Sequence, residues 1–295
     1  MTDVTVVVVT FNALPWVERC LASVAGYETV VVDHGSTDGT LELVRERFPA
    51  VRVLQQENRG MGGGNNAGMR AASGRYALLL NSDAWVVGDA VERLARHLDE
   101  HPDVAVAGPR LSNPDGSLQR SVRGFPTLWR LATEYFFLRK LAPRSRALNA
   151  FYGGGFGHDD TREVESLQGA ALLVRREAVD AVGLFDEDFF MFSEETDWTY
   201  RFRRAGWKTV FVHDAEVVHV GGASHGGRLY VENLRGILRF LAKHRGVREA
   251  ERARRLLLAA LRLRALVFRG ERRRAYREGA RFLASGDVCS LLSRT

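Results

Sequence analysis

The first hundred residues repeat one unit: a short apolar run, a polar turn, and a helical pattern. The runs are Val4–Thr10, Val30–Asp33, Val51–Leu54, Tyr76–Asn81 and Val104–Ala107, all rich in valine, leucine or alanine. Runs with so little polar alternation suit strands covered on both faces, which means a parallel sheet. Pro15 stands near the start of a helix carrying Trp16, Val17, Cys20, Leu21 and Val24. Ser36 or Thr37 is placed to cap the next, with Leu41, Val44 and Phe48 on its apolar side. Asn65–Ser73 and Asp89–His101 supply two more. The expectation is an open, doubly wound, mostly parallel α/β sheet, Rossmann-like in layout. Ligands then bind at the carboxyl ends of the strands, where Asn12, Asp33 and Asn81-Ser82-Asp83 fall.

Composition excludes several classes. With 45% apolar and 26% charged residues in 295, the chain is neither disordered nor collagen-like. Cys20 and Cys289 are far apart and form no C-x-x-C pair, which argues against a cysteine-held metal or a disulfide framework and fits a reducing cytoplasm. No apolar run approaches the roughly 20 residues needed to span a bilayer. Asp3 stands where a secretory signal carries positive charge, so the opening run reads as a strand. The net charge of +6 is local: residues 245–281 hold thirteen arginines against four glutamates. That distribution describes a globular body with a basic helical tail, not a nucleic-acid binder. The turn at Asn113-Pro114-Asp115-Gly116 divides the body into 1–115 and 116–227, and residues 228–295 form the basic amphipathic helical region.

Four constellations carry chemistry. Asp33, followed by His34-Gly35-Ser36-Thr37-Asp38-Gly39, can accept a bond from a base N–H or simply cap a helix. Asp83 follows a buried strand, where a carboxylate suits Mg²⁺ or Mn²⁺ shared with phosphate oxygens, although Asn81 stands where a paired aspartate is usual. The segment Glu57–Gly68 holds Gly60, Gly62, Gly63 and Gly64 and reads as a flexible or close-approach loop. It is neither a dinucleotide fingerprint, which belongs in the first βα turn, nor a P-loop, which ends G-K-[ST]. Glu194, Glu195 and Asp197 lie among aromatics, where desolvation raises a carboxylate toward general-base chemistry and the first turn of a helix also favours acids.

Four further segments are weaker. His219 follows a strand-like run and is either a metal ligand or structural. Gly222–Gly226 matches the G-x-S-x-G elbow, but the later acid and histidine are in the wrong order for a hydrolase. Phe151–Gly157 reads as a mobile loop. In Arg254–Arg269, leucines alternate with arginines in a helix that either lies on an anionic membrane or packs on the body with its arginines solvated.

Taken in order, Val8-Val9-Thr10-Phe11-Asn12, Val32-Asp33-His34-Gly35-Ser36-Thr37-Asp38-Gly39-Thr40, Glu57-Asn58-Arg59-Gly60, Asn65-Asn66-Ala67-Gly68 and Leu80-Asn81-Ser82-Asp83 resemble glycosyltransferase family 2. Gln168-Gly169-Ala170, the run Phe189–Trp198 and His219-Val220-Gly221 complete the series. Gly116–Arg120, Arg123–Pro126 and Leu241–Gly246 are most similar to the bacterial rhamnosyltransferase-like branch. The resemblance implies a GT-A fold and an inverting, metal-assisted transferase. By it, Asp33 binds the base, and Thr10, Asn12, Gly35, Asn58, Gly60, Asn65, Asn81 and Ser82 line the nucleotide-sugar pocket. Asp83 and His219 hold Mg²⁺ or Mn²⁺, and Glu195 is the general base with Glu194 and Asp197 as competitors. Gln168, Gly169, Ala170 and Trp198 lie on the acceptor side. The implied partners are a dTDP- or UDP-sugar, dTDP-rhamnose foremost, and a glycan or polyprenyl-linked acceptor. The implied location is cytoplasmic, peripheral on the inner face of the membrane. The rivals are a non-catalytic nucleotide-sugar binder and a membrane-surface module driven by the tail.

Overall fold

The computed structural model describes residues 3–142, 145–153, 155–221 and 228–293. Strands β1 (Val4–Thr10), β2 (Glu28–Asp33), β3 (Arg52–Gln55) and β4 (Tyr76–Asn81) alternate with helices α1 (Val17–Ala22), α2 (Thr40–Arg47) and α3 (Gly60–Ala71). There follow β5 (Ala84–Val87), α4 (Ala90–Glu100), β6 (Val104–Ser112), β7 (Leu118–Gln119), β8 (Val122–Arg123), α5 (Leu128–Tyr135) and α6 (Arg146–Asn149). Next come β9 (Arg162–Val164), β10 (Ser166–Leu167), β11 (Ala171–Arg175), α7 (Arg176–Val182), α8 (Glu194–Arg204) and β12 (Lys208–His219). The chain continues as α9 (Arg228–Arg245), α10 (Val247–Val267), α11 (Gly270–Ala284) and α12 (Val288–Ser293).

The main sheet runs β3-β2-β1-β4-β11-β6-β12-β5. Its β3-β2-β1-β4 section is parallel, and β11 enters antiparallel between β4 and β6. Every residue of β1 is buried, as expected of a strand with helices on both faces. Val6, Val8, Leu78 and Leu80 pack with Val17, Leu94 and Leu98 on one face. Val7, Leu79 and Leu172 pack with Met69, Trp198 and Phe202 on the other. The period of two thus divides each strand between two cores.

Four expectations need correction. The glycine-dense segment is not a loop: α3 begins at Gly60, five residues before the expected start. A Cβ at Gly68 would stand 2.2 Å from Val7 Cγ1, so the glycines let this helix lie directly on β1. That contact offsets a helix-propensity cost of about 1 kcal/mol per glycine. Ser36 and Thr37 do not cap α2; Asp38 Oδ1 accepts from Thr40 N at 3.0 Å instead. In the segment expected as mobile, Phe156 is buried edge-on to Phe211 at 5.2 Å, because an aromatic side chain gains more in the core than in solvent.

The fourth concerns the tail. Leu257, Ala260 and Leu261 of α10 are buried with Leu131, Leu238 and Phe240 in a core formed by α5 and the C-terminal helices. Arg264, expected among solvated arginines, is buried and donates to Tyr135 O and Glu134 O. The apolar stripe of α10 therefore packs on the body. The G-x-S-x-G match lies outside the described residues.

Candidate active site

The carboxyl ends of β1 and β2 form a hydrogen-bonded knot. Asp33 is fully buried; its Oδ2 accepts from the backbone of Gly35 and Ser36 at 3.0 Å each. Its Oδ1 accepts from Thr10 Oγ1 at 2.9 Å and Ser36 Oγ at 2.5 Å. Exposed Asn12, in the left-handed region at φ 52°, accepts at Oδ1 from Thr37 N and donates through its own N–H to Ser36 Oγ, each at 2.9 Å. Asp33 thus organises the turn in this state. Contact with a base N–H needs the Ser36 hydroxyl to release Oδ1.

The tight turn between β4 and β5 carries Asn81, half-buried Ser82 and Asp83 beside the end of β12. His219 Nδ1 lies 2.7 Å from Gln119 Oε1. The Gln119 amide donates to Asn113 Oδ1 at 2.9 Å and His219 O at 3.3 Å, which aims Oε1 at the imidazole. Nδ1 is then the protonated nitrogen, and the Nε2 lone pair points at Asn81 Nδ2 (3.4 Å) and Asp83 Oδ1 (3.3 Å). Two acceptors this close favour a proton or a cation between them. Burial pushes the Asp83 carboxyl up, but with a proton on Nε2 the hydrogen bond and charge of His219 hold it below the usual carboxylate range. The donor set fits a hard divalent ion with further oxygen ligands. Among the described residues, no group of three or more His, Cys, Asp or Glu is placed to hold one alone.

The turn entering α8 is conformationally costly. Phe192 and Ser193 both have positive φ, 68° and 69°, a region side chains avoid. The turn is clamped from two sides. A Cβ at Gly60 would meet Phe190 O at 1.9 Å, and one at Gly236 would meet Phe192 O at 2.6 Å. The clamp fixes the first turn of α8, which carries three carboxylates. Glu194 and Glu195 each keep an Oε2 that is buried without a hydrogen-bond partner. Burial raises both, Glu194 well above the ordinary range with the Glu195 charge adding to it. Arg123 pulls Glu195 partly back.

Asp197, two residues on, is opposite in character. Its Oδ1 meets His244 Nε2 at 2.7 Å and Lys243 Nζ at 2.8 Å, and its Oδ2 meets Arg201 Nε at 2.8 Å. Burial pushes it up, yet these bonds win and bring it down to about 2. All its oxygens are engaged, so Asp197 is a strut between α8 and α9, not a competing base. Trp198 is also corrected: it is fully buried against Phe185 and Phe202 with Nε1 on Gly183 O at 2.8 Å, so it lines no acceptor surface.

Two cavities meet at this turn. The smaller, about 150 Å³, is lined by Asn65, Asn81, Asp83, Gln168, Gly169, Ala170, Glu194 and His219, among others. The larger, about 870 Å³, lies between the body and the C-terminal helices, with Tyr135, Phe151, Tyr230 and Ile237 on its walls. Glu195, Gln168 and Phe192 line both. Thr10, Asn12, Asp33, Gly35, Asn58, Gly60 and Ser82 line neither; Asn58 accepts from Gly60 N at 3.0 Å and steadies the start of α3.

Gln119, Lys243 and His244 lie in segments that carry the family resemblance, and their roles appear only in three dimensions. Residue spacing alone could not bring Gln119 to His219 across 100 positions.

The glycosyl transferase family 2 model matches residues 5–160, just over half of the chain. The N-acetylglucosaminyl-diphospho-decaprenol L-rhamnosyltransferase of Mycobacterium tuberculosis is 33% identical over 244 residues, 74% of this chain and 76% of that protein. Among solved structures, GalNAc-T7 with UDP, GalNAc and Mn²⁺ superposes with a TM-score of 0.60 at 17% identity. It covers 81% of this chain, which spans about half (48%) of that one. The mannosyltransferase PcManGT of Pyrobaculum calidifontis, in complex with GDP-Man and Mn²⁺, gives 0.55 at 18% identity over 99% of this chain and 83% of its own. These likenesses establish the GT-A fold, and with the family match and the mycobacterial relative they place the chain in glycosyltransferase family 2.

Proposed function

We propose that the protein moves L-rhamnose from dTDP-L-rhamnose to a hydroxyl of a lipid-linked glycan, with inversion at the anomeric carbon. The observation that carries this reading is the position of Glu195. It stands in the wall common to the small cavity and the large one, with a buried, unbonded carboxylate oxygen. The nucleotide diphosphate sugar enters the small cavity from the strand ends, its base reaching Asp33 as the Ser36 hydroxyl turns away. The acceptor occupies the large cavity. Its hydroxyl attacks the anomeric carbon, the bond from that carbon to the diphosphate oxygen breaks, and Glu195 takes the hydroxyl proton.

Asp83 and His219 would hold Mg²⁺ or Mn²⁺ there. When bound, such an ion stabilises charge on the departing diphosphate. Gln119 fixes the imidazole tautomer that such a role requires. The sugar follows the mycobacterial relative by name and identity, the dTDP carrier follows the family resemblance of the sequence, and a membrane-peripheral setting fits the lipid-linked acceptor which that name describes.

The test is donor turnover. The chain is incubated with dTDP- and UDP-sugars, with Mg²⁺, Mn²⁺ or EDTA, and released nucleoside diphosphate is measured beside an Asp83→Ala control. Metal-dependent release from dTDP-rhamnose, lost in the control, is the expected result. Donor binding by calorimetry without release, acceptor present, would instead favour a non-catalytic nucleotide-sugar binder, and neither release nor binding of any donor would overturn the reading.

A further inference from the structure

We propose that the corner formed by the end of α10, the start of α11 and the turn after α5 docks onto an anionic lipid bilayer. Leu263, Leu266 and Val267 share one face of α10 at i, i+3 and i+4 and are 45%, 78% and 65% exposed. Leu141, at the turn after α5, is 79% exposed. Phe137 of that turn meets Phe268 at 5.6 Å between ring centroids, so the two exposed segments adjoin. Single exposed leucines are ordinary, whereas several on one corner mark an interface.

The corner is held rigidly. Buried Arg264 donates from Nε to Tyr135 O at 2.8 Å and from Nη2 to Glu134 O at 2.6 Å, closing the carboxyl end of α5 onto α10. With the inner leucines of α10 already in the core, the outer ones are presented by the packed fold itself.

Charge selects the occupant. Lys140, Arg262, Arg269 and Arg272 are exposed around the leucines, form no ion pair among the described residues, and outnumber Glu271, the carboxylate exposed in the same stretch. Apolar side chains ringed by cations complement acidic lipid headgroups above hydrocarbon. Two copies meeting here would bring like charges together. Arg272 also lines the large cavity, as do Arg274 and Ala275, so docking at this corner sets that cavity's mouth at the bilayer surface. This last step rests on the acceptor reading above; the docking itself does not.

The full chain is floated with vesicles of phosphatidylcholine alone and of phosphatidylcholine mixed with phosphatidylglycerol. Binding to the mixed vesicles only, weakened by salt, is expected. It should fall by about tenfold or more in the Leu141→Ser/Leu266→Ser variant, with calorimetric donor binding unchanged. Hydrogen–deuterium exchange of the unaltered protein gives an answer that needs no variant: vesicles should protect residues 137–141 and 262–272. No flotation of the unaltered chain, equal flotation of the variant, or protection confined to other residues would each overturn the proposal. So would loss of self-association, in place of vesicle binding, in the variant. Vesicle binding without donor turnover would remove the acceptor reading and leave the docking surface standing.

Discussion

The two sides of Glu195 are built to different rules. On the strand side, polar groups are matched before any ligand arrives: Asp33 accepts three bonds from its own loop and one from Thr10 of β1, and Gln119 aligns His219 toward Asp83. On the helical side the wall mixes aromatic and aliphatic side chains such as Tyr135, Phe151 and Ile237 with charged and polar ones such as Arg123, Asn233, Arg274 and Glu278, and Glu195 keeps a buried carboxylate oxygen without a hydrogen-bond partner. Preorganised dipoles suit a charged diphosphate whose geometry is fixed. A wall of rings interspersed with hydrogen-bonding groups suits a hydroxyl-bearing acceptor, and burial of the Glu195 carboxyl raises it toward proton-accepting chemistry.

Asp197 joins the two sides, so removing its charge is the most damaging way to break the arrangement. Asp197→Asn leaves Arg201, Lys243 and His244 facing no anion on that side chain and should cost about 3 kcal/mol in chemical denaturation. The pH dependence has a definite sign. Because Asp197 is held at about 2, its stabilising effect is complete above the unfolded value near 4 and is lost as pH falls through 2. Acid unfolding of Asp197→Asn should lack that share of the loss.

A Gly68→Ala change tests the packing beneath the strand side. Its methyl group would overlap Val7, and a net loss of about 2 kcal/mol is expected despite better helix propensity. Unchanged melting would mean that α3 does not lie on β1 as described. Gln119→Leu is narrower: fold and donor-base contacts stay, while the Mn²⁺ needed for half-maximal turnover should rise roughly 10- to 100-fold. An unshifted metal titration would detach Gln119 from the proposed metal role.

The smallest expected effect has the opposite sign. Glu195→Gln removes a buried charge that lacks a hydrogen-bond partner and should raise stability by about 1 kcal/mol. In the unaltered enzyme the acidic limb of the rate profile should lie above the ordinary glutamate value of 4.5, since a base must be deprotonated to work. A limb at the ordinary value would place the proton acceptor elsewhere.

Much of the strand side was legible in the sequence because it is local. Uniformly apolar runs such as Val4–Thr10 are forced into a covered sheet, and the polar residues that end them follow immediately. The helical nature of Gly60–Gly64 was hidden, since the benefit of glycine there lies in contacts with β1 and with Phe190, distant in sequence. The three acids of α8 looked equivalent for a similar reason. Only the fold brings Lys243 and His244 to Asp197 and leaves Glu195 between the cavities. Arg264 likewise gave no sign of its burial, because the carbonyls it satisfies belong to α5.

The central claim is that Glu195 takes the acceptor's proton. The direct measurement is turnover of Glu195→Gln beside Glu194→Gln, with dTDP-rhamnose, a lipid-linked acceptor and saturating metal, and with donor affinity read by calorimetry. The account predicts that Glu195→Gln loses about 10²- to 10⁴-fold in kcat with unchanged donor binding, while Glu194→Gln keeps most of its rate. Near-normal turnover by Glu195→Gln, with the loss falling on Glu194→Gln, would contradict it.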